Sequence, residues 1–407
     1  MRDTTHITAG PLPARGPLTQ ASGPASPRSR RCKELRFQDF NLTPVLTELA
    51  LAFLKLGVIG FGGPAVHVAL MRRELVTRRC WLDQEEFNRM FAACNLIPGP
   101  SSTELAIFIG QRRAGWRGML IAGCCFILPA ALLMVAAAWA YVRWGRHPAA
   151  MHVLAGVRPI VVGIVAWAAV DLGRTMVGNW PRAAVAVAAA TMLILGVSPA
   201  LIVVLGGAIL VVGRRAWRNA PLMLSGGVVA PTAFSLAAVF LAFLKVGALS
   251  FGSGYVLVAF LRADLVEAAR WLTDRQLVDA VAIAQATPGP VYGVAAFIGY
   301  LVGGVPGSVA ASVGIFLPGF VLIPLVGRVL QLVERHGDAR AFVNGANAAA
   351  LGLIAAVTLQ LASVALTGLV GAMVAVVTIG LMWRWPFASP ALVAGGAVAG
   401  LAGIISS

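Results

Sequence analysis

Two stretches of the sequence combine a forced chain break with groups suited to holding an anion. The first is Asn95-Leu96-Ile97-Pro98-Gly99-Pro100-Ser101-Ser102-Thr103-Glu104, inside an apolar run over 87–110. Pro98 and Pro100 have no backbone N–H, and Gly99 tolerates dihedrals other residues avoid, so a helix must break here. Ser101, Ser102 and Thr103 are N-cap types followed by apolar residues, which predicts a half-helix starting near Ser101. A helix N-terminus offers free N–H groups and the positive end of the macrodipole, the chemistry of anion binding. The same device returns at Gln285-Ala286-Thr287-Pro288-Gly289-Pro290.

Other groups cluster around these breaks in the sequence. Lys55 and Lys245 are lone cations in apolar segments, at matching places. A charge at mid-bilayer costs about 2.5–3.5 kcal/mol on insertion scales, so such residues face a cavity or a partner, or snorkel to the interface. The duplication favours a cationic pair that attracts an anion. Phe61-Gly62-Gly63-Pro64 and Phe251-Gly252-Ser253-Gly254 follow the lysines. Glycines there permit close approach of backbone N–H groups to a ligand, although glycine also serves helix packing. The expected binding set is therefore Lys55, Gly62, Gly63, Ser101, Ser102, Thr103, Lys245, Gly252, Ser253, Gly289 and Pro290. Glu104 and His67 are the proton-coupling candidates. For Glu104 the other reading is complementation of the helix dipole, and for His67 it is a satisfied structural histidine. Asp171, Arg174 and Arg158 read as span-end anchors.

The elements that position these groups must lie in a membrane. Of 407 residues, 59% are hydrophobic and 12% charged, where soluble domains carry about 25% charged. The mean hydropathy is +0.84, and apolar runs of about 20 residues recur. This predicts an all-α polytopic membrane protein with about 10–12 embedded segments, some broken or re-entrant. The net charge of +16 sits mainly in the tail and short loops, where it sets orientation and touches anionic lipid rather than nucleic acid. Residues 1–40, rich in Pro, Gly, Ser and Arg, read as a disordered basic tail without a signal-peptide core. Arg28, Arg30, Arg31, Lys33 and Arg36 place the N-terminus in the cytoplasm.

The chain is a tandem duplication. Leu51-Ala52-Phe53-Leu54-Lys55-Leu56-Gly57 matches Leu241-Ala242-Phe243-Leu244-Lys245-Val246-Gly247, and Trp81-Leu82 matches Trp271-Leu272. Pro98-Gly99-Pro100 matches Pro288-Gly289-Pro290, and Phe108-Ile109-Gly110 matches Phe297-Ile298-Gly299 after one deleted residue. The halves are 41–225 and 226–407. Loops of the first half carry Arg72, Arg73, Arg78, Arg79, Arg112, Arg113 and Arg117; the matching loops of the second carry Arg262, Arg270 and Arg275, offset by Asp264, Glu267 and Asp274, and then no Lys or Arg over 300–307. By the positive-inside rule the halves are inverted, about an axis in the membrane plane. Two interrupted helices at corresponding positions of inverted halves point to a transporter binding site at the midplane.

These residues resemble the chromate ion transporter family in its long two-domain form. The resemblance rests on Phe61-Gly62-Gly63-Pro64 with His67, Arg72-Arg73-Glu74, Trp81-Leu82, Asn95 through Glu104 and Gly115-Trp116-Arg117-Gly118. In the second half it rests on Phe251 through Tyr255, Trp271-Leu272-Thr273, Gln285 through Pro290 and Gly314-Ile315-Phe316-Leu317-Pro318. It covers nearly everything from about 45 to 400. One departure is Val291-Tyr292-Gly293-Val294, where a Thr-rich run is the family's pattern. The resemblance implies export of chromate across the bacterial inner (plasma) membrane, driven by the proton motive force, and chromate resistance. The expected partners are chromate or a similar oxyanion, sulfate as competitor, and the bilayer, with a homodimer admitted; no nucleic acid, cofactor or metal is expected. The alternatives are transport of another oxyanion such as sulfate, a channel, or a membrane-embedded lipid-modifying enzyme. No HExxH, GxSxG or Walker A pattern supports catalysis or nucleotide-driven transport.

The inverted arrangement has a direct check. In a cysteine-free background, Arg113→Cys and Gly303→Cys are expected to react with an impermeant thiol reagent from opposite membrane faces; labelling of both from one face would exclude inversion.

Overall fold

A computed structural model describes residues 42–61, 63–176, 178–215, 235–251, 254–366, 368–385 and 388–403. The tail 1–40, the boundary between halves, and Gly62, Gly252 and Ser253 of the expected binding set lie outside the described residues. The described residues form helices and turns, with no strand among them.

The first half holds α1 (Leu42–Ile59), α2 (Pro64–Met71) running into a π-helical turn (Arg72–Arg78), α3 (Gln84–Cys94), α4 (Ser101–Trp144), α5 (Pro148–Met176), α6 (Trp180–Ile194) and α7 (Pro199–Arg215). The second half repeats the plan. It holds α8 (Leu236–Leu249), α9 (Val256–Leu261) with its own π-turn (Arg262–Ala268), α10 (Asp274–Ala286), α11 (Val294–Leu322), α12 (Val326–Arg335), α13 (Gly337–Ala365), α14 (Gly368–Arg384) and α15 (Ser389–Leu401). The duplication extends to single dihedrals. Cys80 and Arg270, just after the two π-turns, both have φ 54°. Asp83 and Thr273 cap α3 and α10 with their side chains, as N-cap residues do.

Each half opens with two re-entrant hairpins. In the first, α1 stops at Gly60 and α2 folds back beside it, so that His67 Nε2 bonds the Gly60 carbonyl at 2.9 Å and Lys55 bonds Glu74 at 3.2 Å. Pro64 opens α2, where its missing N–H costs nothing. In the second hairpin α3 descends, the chain turns at Pro98-Gly99-Pro100, and the first arm of α4 ascends. Arg112 and Glu86 close the mouth of this hairpin at 3.1 Å. Ala114 (φ −142°, ψ 28°) and Gly115 (φ 59°, ψ −147°) then break α4 sharply, and Gly303 and Gly304 do the same to α11 with nearly equal angles. The two arms of α4 fold against each other through bare backbone: a Cβ on Gly110 would strike the Gly118 carbonyl, and one on Gly118 the Gly110 carbonyl. Gly299 and Gly307 repeat this contact.

The second arm of α4, residues 116–144, is about 40 Å long at ~1.5 Å per residue, enough to cross a bilayer. Just before its start, on the other side of the break, Arg113 bonds Glu48 at 2.8 Å, beside the mouth of the first-half hairpins. Near its far end Tyr141 bonds Asp279 of α10, close to the mouth of the second-half hairpin. The two sets of hairpins thus enter from opposite ends of the protein, the geometry of an inverted repeat. The halves also exchange helices: α5 packs on α14 and α15, and α13 packs on α6 and α7. Small residues make this contact close, with Gly156 against Gly396 and Gly345 against Gly206, as in other membrane helix interfaces.

Four helical stretches are long and apolar enough to cross a membrane, namely Ser101–Trp144, Pro148–Arg174, Val291–Val333 and Gly337–Ala365. Leu132, Val142, Val309, Val321 and Leu359 lie exposed on them, the outward apolar surface that lipid requires.

Each π-turn is tied to its own first helix by one lysine. Glu74 bonds Lys55, Arg78 and Arg79. Asp264 bonds Lys245 at 2.7 Å, and its second oxygen is buried with no partner among the described residues. Removing Lys55 therefore leaves Glu74 with two cations, while removing Lys245 strips Asp264 of its counter-charge. Thermal unfolding in detergent should show Lys245→Met destabilised by about 2 kcal/mol and Lys55→Met by less than about 1 kcal/mol.

Candidate functional site

The two Pro-Gly-Pro tips meet the two helix ends of the opposite half. In Pro-Gly-Pro only the glycine carries an N–H, and at Gly60 and Ser250 a helix has just stopped, leaving carbonyls without an intrahelical donor. The structure pairs these leftovers across the halves. Gly99 N–H donates to the Ser250 carbonyl at 2.8 Å, and Gly289 N–H donates to the Gly60 carbonyl at 2.7 Å. Gly99 and Gly289 take φ of 133° and 97°, which only glycine adopts readily. A Cβ on Gly289 would also overlap the Ala130 methyl group, half-way along the long arm of α4.

Around this junction the first half supplies most of the polar chemistry. α4 begins at Ser101 as expected, with Pro100 as its N-cap and no side-chain capping bond. The serine and threonine hydroxyls are thus not spent on the helix end. His67, buried, shares its two nitrogens between the Gly60 carbonyl and the Ser102 hydroxyl, at 2.9 and 3.3 Å. Because Gly60 can only accept, Nε2 carries the proton and Nδ1 accepts from Ser102. His67 therefore stitches the N-terminus of α4 to the carbonyl that also holds the second-half tip. Thr103 Oγ1 and both carboxylate oxygens of Glu104 are buried without a hydrogen-bond partner among the described residues.

The second half fills the equivalent space differently. Val291–Gly293 form a 3-10 turn before α11, and Tyr292 is fully buried, within electrostatic range of Glu104. Tyr255, also buried, bonds Gln285. Pro288, Gly289 and Pro290 are buried, whereas Asn95 is exposed and Pro98, Gly99 and Ser101 are half-exposed. The junction is approached from the first-half tip and sealed by the second.

The seal continues into an ion pair that the sequence reading missed. Arg158 of α5 grips Asp279 of α10 through two bonds of 2.7 and 3.1 Å, and Tyr141 donates to the same carboxylate at 2.9 Å. Arg158 and Asp279 are buried, so Arg158 is an inter-half clasp and not the span-end anchor its position suggested. An arginine and an aspartate inside apolar segments were the signal; their partnership spans the two halves and so lies beyond any local pattern. Arg174, by contrast, stacks 3.6 Å from the Trp383 ring, and Asp171 is exposed as an anchor would be.

Of the expected binding set, the structure gathers Gly63, Ser101, Ser102, Thr103, Gly289 and Pro290 near the junction, together with Glu104 and His67. It does not bring the lysines there as a free cationic pair: each is engaged by the acid of its own hairpin. The physical reason is the hairpin itself, which places a carboxylate opposite each lysine. The junction thus offers a half-helix N-terminus, three hydroxyl side chains and a lone carboxyl, and among the described residues no group of three or more His, Cys, Asp or Glu side chains that could hold a metal.

The sequence pattern described as Chromate transporter matches twice, over residues 47–212 and 237–401, one match per half. A chromate transport protein of Cupriavidus metallidurans is 35% identical over 377 residues, covering 88% of this chain and 93% of the relative. A probable chromate transport protein of Synechococcus elongatus is 34% identical over 76% of this chain and 83% of its own length. A chromate transport protein of Pseudomonas aeruginosa is 32% identical, with coverage of 78% and 81%. No solved structure matches the chain. With both halves matched and relatives aligned over most of their length, the chain belongs to the chromate transporter family.

Proposed function

We propose that this protein carries chromate out of the cytoplasm by alternating access, with the dianion held at the junction of the two Pro-Gly-Pro tips. The observation that carries the reading is the reciprocal joining of the tips beside the N-terminus of α4, in a chain whose relatives are named chromate transport proteins. A tetrahedral dianion suits that site: Ser101 and Thr103 supply hydroxyl donors beside Ser102, whose own proton goes to His67, and the backbone N–H groups and macrodipole of α4 supply positive potential. Sulfate shares the size and charge of chromate and should compete. The lysines support the site from their ion pairs, by holding the hairpins that present the tips.

An inside-negative potential drives a dianion outward by about 4–5 kcal/mol per 100 mV, from about 2.3 per elementary charge. Export is then downhill before any proton is coupled. Inverted repeats exchange the conformations of their halves to face either side. In that cycle the buried Arg158–Asp279 clasp closes the second-half mouth and must part when that mouth opens.

Proteoliposomes loaded with chromate, under an imposed potential and pH gradient, test the function. The expected result is saturable chromate flux that sulfate inhibits and that an interior-negative potential accelerates. Absence of flux of either anion through correctly inserted protein would overturn the reading. The clasp gives a second outcome. Asp279→Asn and Arg158→Gln each leave a buried charge without its partner, a loss of about 3–5 kcal/mol. Each should slow flux at least about tenfold, and the double variant should be no slower than either single one. Undiminished flux in both single variants would remove the clasp from the cycle.

A further inference from the structure

Glu104 occupies a place that the transport reading alone does not require. It lies in the first turn of the α4 half-helix, and its carboxyl folds back over that helix's own N-terminus: a Cβ on Gly99 would overlap Oε1. The side chain is fully buried, and neither oxygen has a hydrogen-bond partner among the described residues. Thr103 Oγ1, its neighbour on the same turn, is likewise unpartnered. Two polar groups are thus held ready at one helix N-terminus.

We propose that Glu104 is an internal occupant of the anion site, and that chromate binds there only when Glu104 carries a proton. The inference rests on the oxyanion reading of the junction and adds the residue that links proton and anion.

The groups facing Glu104 are few. Cys94 of α3 and Tyr292 of the 3-10 turn before α11 are the titratable groups within electrostatic range of it. The Gly319 backbone approaches from α11. His67 of α2 reaches the turn only through Ser102, and its Nε2 proton is held by the Gly60 carbonyl. No cation pairs with Glu104 among the described residues. An ionised carboxylate there would be desolvated and uncompensated except by the helix N-terminus, which costs several kcal/mol. A dianion arriving beside it would add like-charge repulsion in a medium of low dielectric. Protonation removes both penalties at once and turns the carboxyl into a donor for an oxyanion oxygen. The second half has Gly293 and Val294 in the aligned region, so one carboxyl serves the site. The anion and its proton are then bound together, and the pair moves with a net charge of −1.

The test uses the purified full chain in lipid nanodiscs and chromate at alkaline pH, where the unbound anion is essentially all dianion. Wild-type affinity should fall as pH rises, approaching tenfold per pH unit for one linked proton. Glu104→Gln, an isosteric neutral substitute, should bind with an affinity that no longer depends on pH. A Glu104→Gln protein that keeps the wild-type dependence would assign the proton to another group and overturn the proposal, as would a flat wild-type profile. Should Glu104→Gln fail to fold, difference infrared spectra of the wild type decide: a protonated carboxyl band that changes on chromate binding is expected, and its absence counts against the proposal. Failure of the wild type to bind chromate at any pH would instead overturn the oxyanion site itself.

Discussion

The structure depends on two hydrogen bonds that each half makes with the other. Two prolines leave one N–H at each tip, and each broken helix leaves a carbonyl without a donor. Gly99 to Ser250 and Gly289 to Gly60 satisfy both deficits together. A net hydrogen bond contributes only about 0.5–1.5 kcal/mol, but a buried group left unmade costs more, and in hydrocarbon no water can substitute. The broken backbone is therefore stable only when the halves are docked. A tip cannot shift without disturbing the helix end opposite, which joins the motions of the two halves.

Duplication supplied the frame, and divergence divided its labour. Both halves keep the π-turn, the lysine-to-acid tie and the Pro-Gly-Pro tip. The first half retains Ser101, Ser102, Thr103, Glu104 and His67 around a half-exposed tip. The second half has a buried tip, Tyr292 and Tyr255 in its interior, and the Arg158–Asp279 clasp at its mouth. The unpartnered Thr103 hydroxyl and Glu104 carboxyl of the junction thus come from the first repeat, whereas the mouth of the second is held by a pair drawn from both halves. The departure at Val291-Tyr292-Gly293-Val294 fits this division, because a tyrosine fills space that hydroxyls and a carboxyl line in the first half.

Reading the chain in order went far with the backbone. The breaks at Pro98-Gly99-Pro100 and Pro288-Gly289-Pro290, the start of α4 at Ser101 and the paired halves were all legible, because proline, glycine and apolar periodicity act locally and the repeat exposes itself by self-similarity. Loop arginines foretold the opposed entry of the hairpins. The lysines were legible as residues that need a partner in an apolar segment, but not as to which partner. Glu74 and Asp264 lie 19 residues further on in each case, and they meet the lysines only because Gly60 and Ser250 end a helix and the chain doubles back.

By itself, then, the sequence determined a duplicated, helical membrane chain with two Pro-Gly-Pro breaks, since these follow from residue type and near-neighbour spacing. The tertiary structure alone decided what the breaks touch. The cross-half bonds, the burial of Glu104 without a partner, the placing of His67 between Gly60 and Ser102, and the grip of Arg158 on Asp279 all join residues far apart in the chain. Such contacts are fixed by how hairpins and halves dock in a solvent that leaves no polar backbone group unpaired, and no local pattern encodes them.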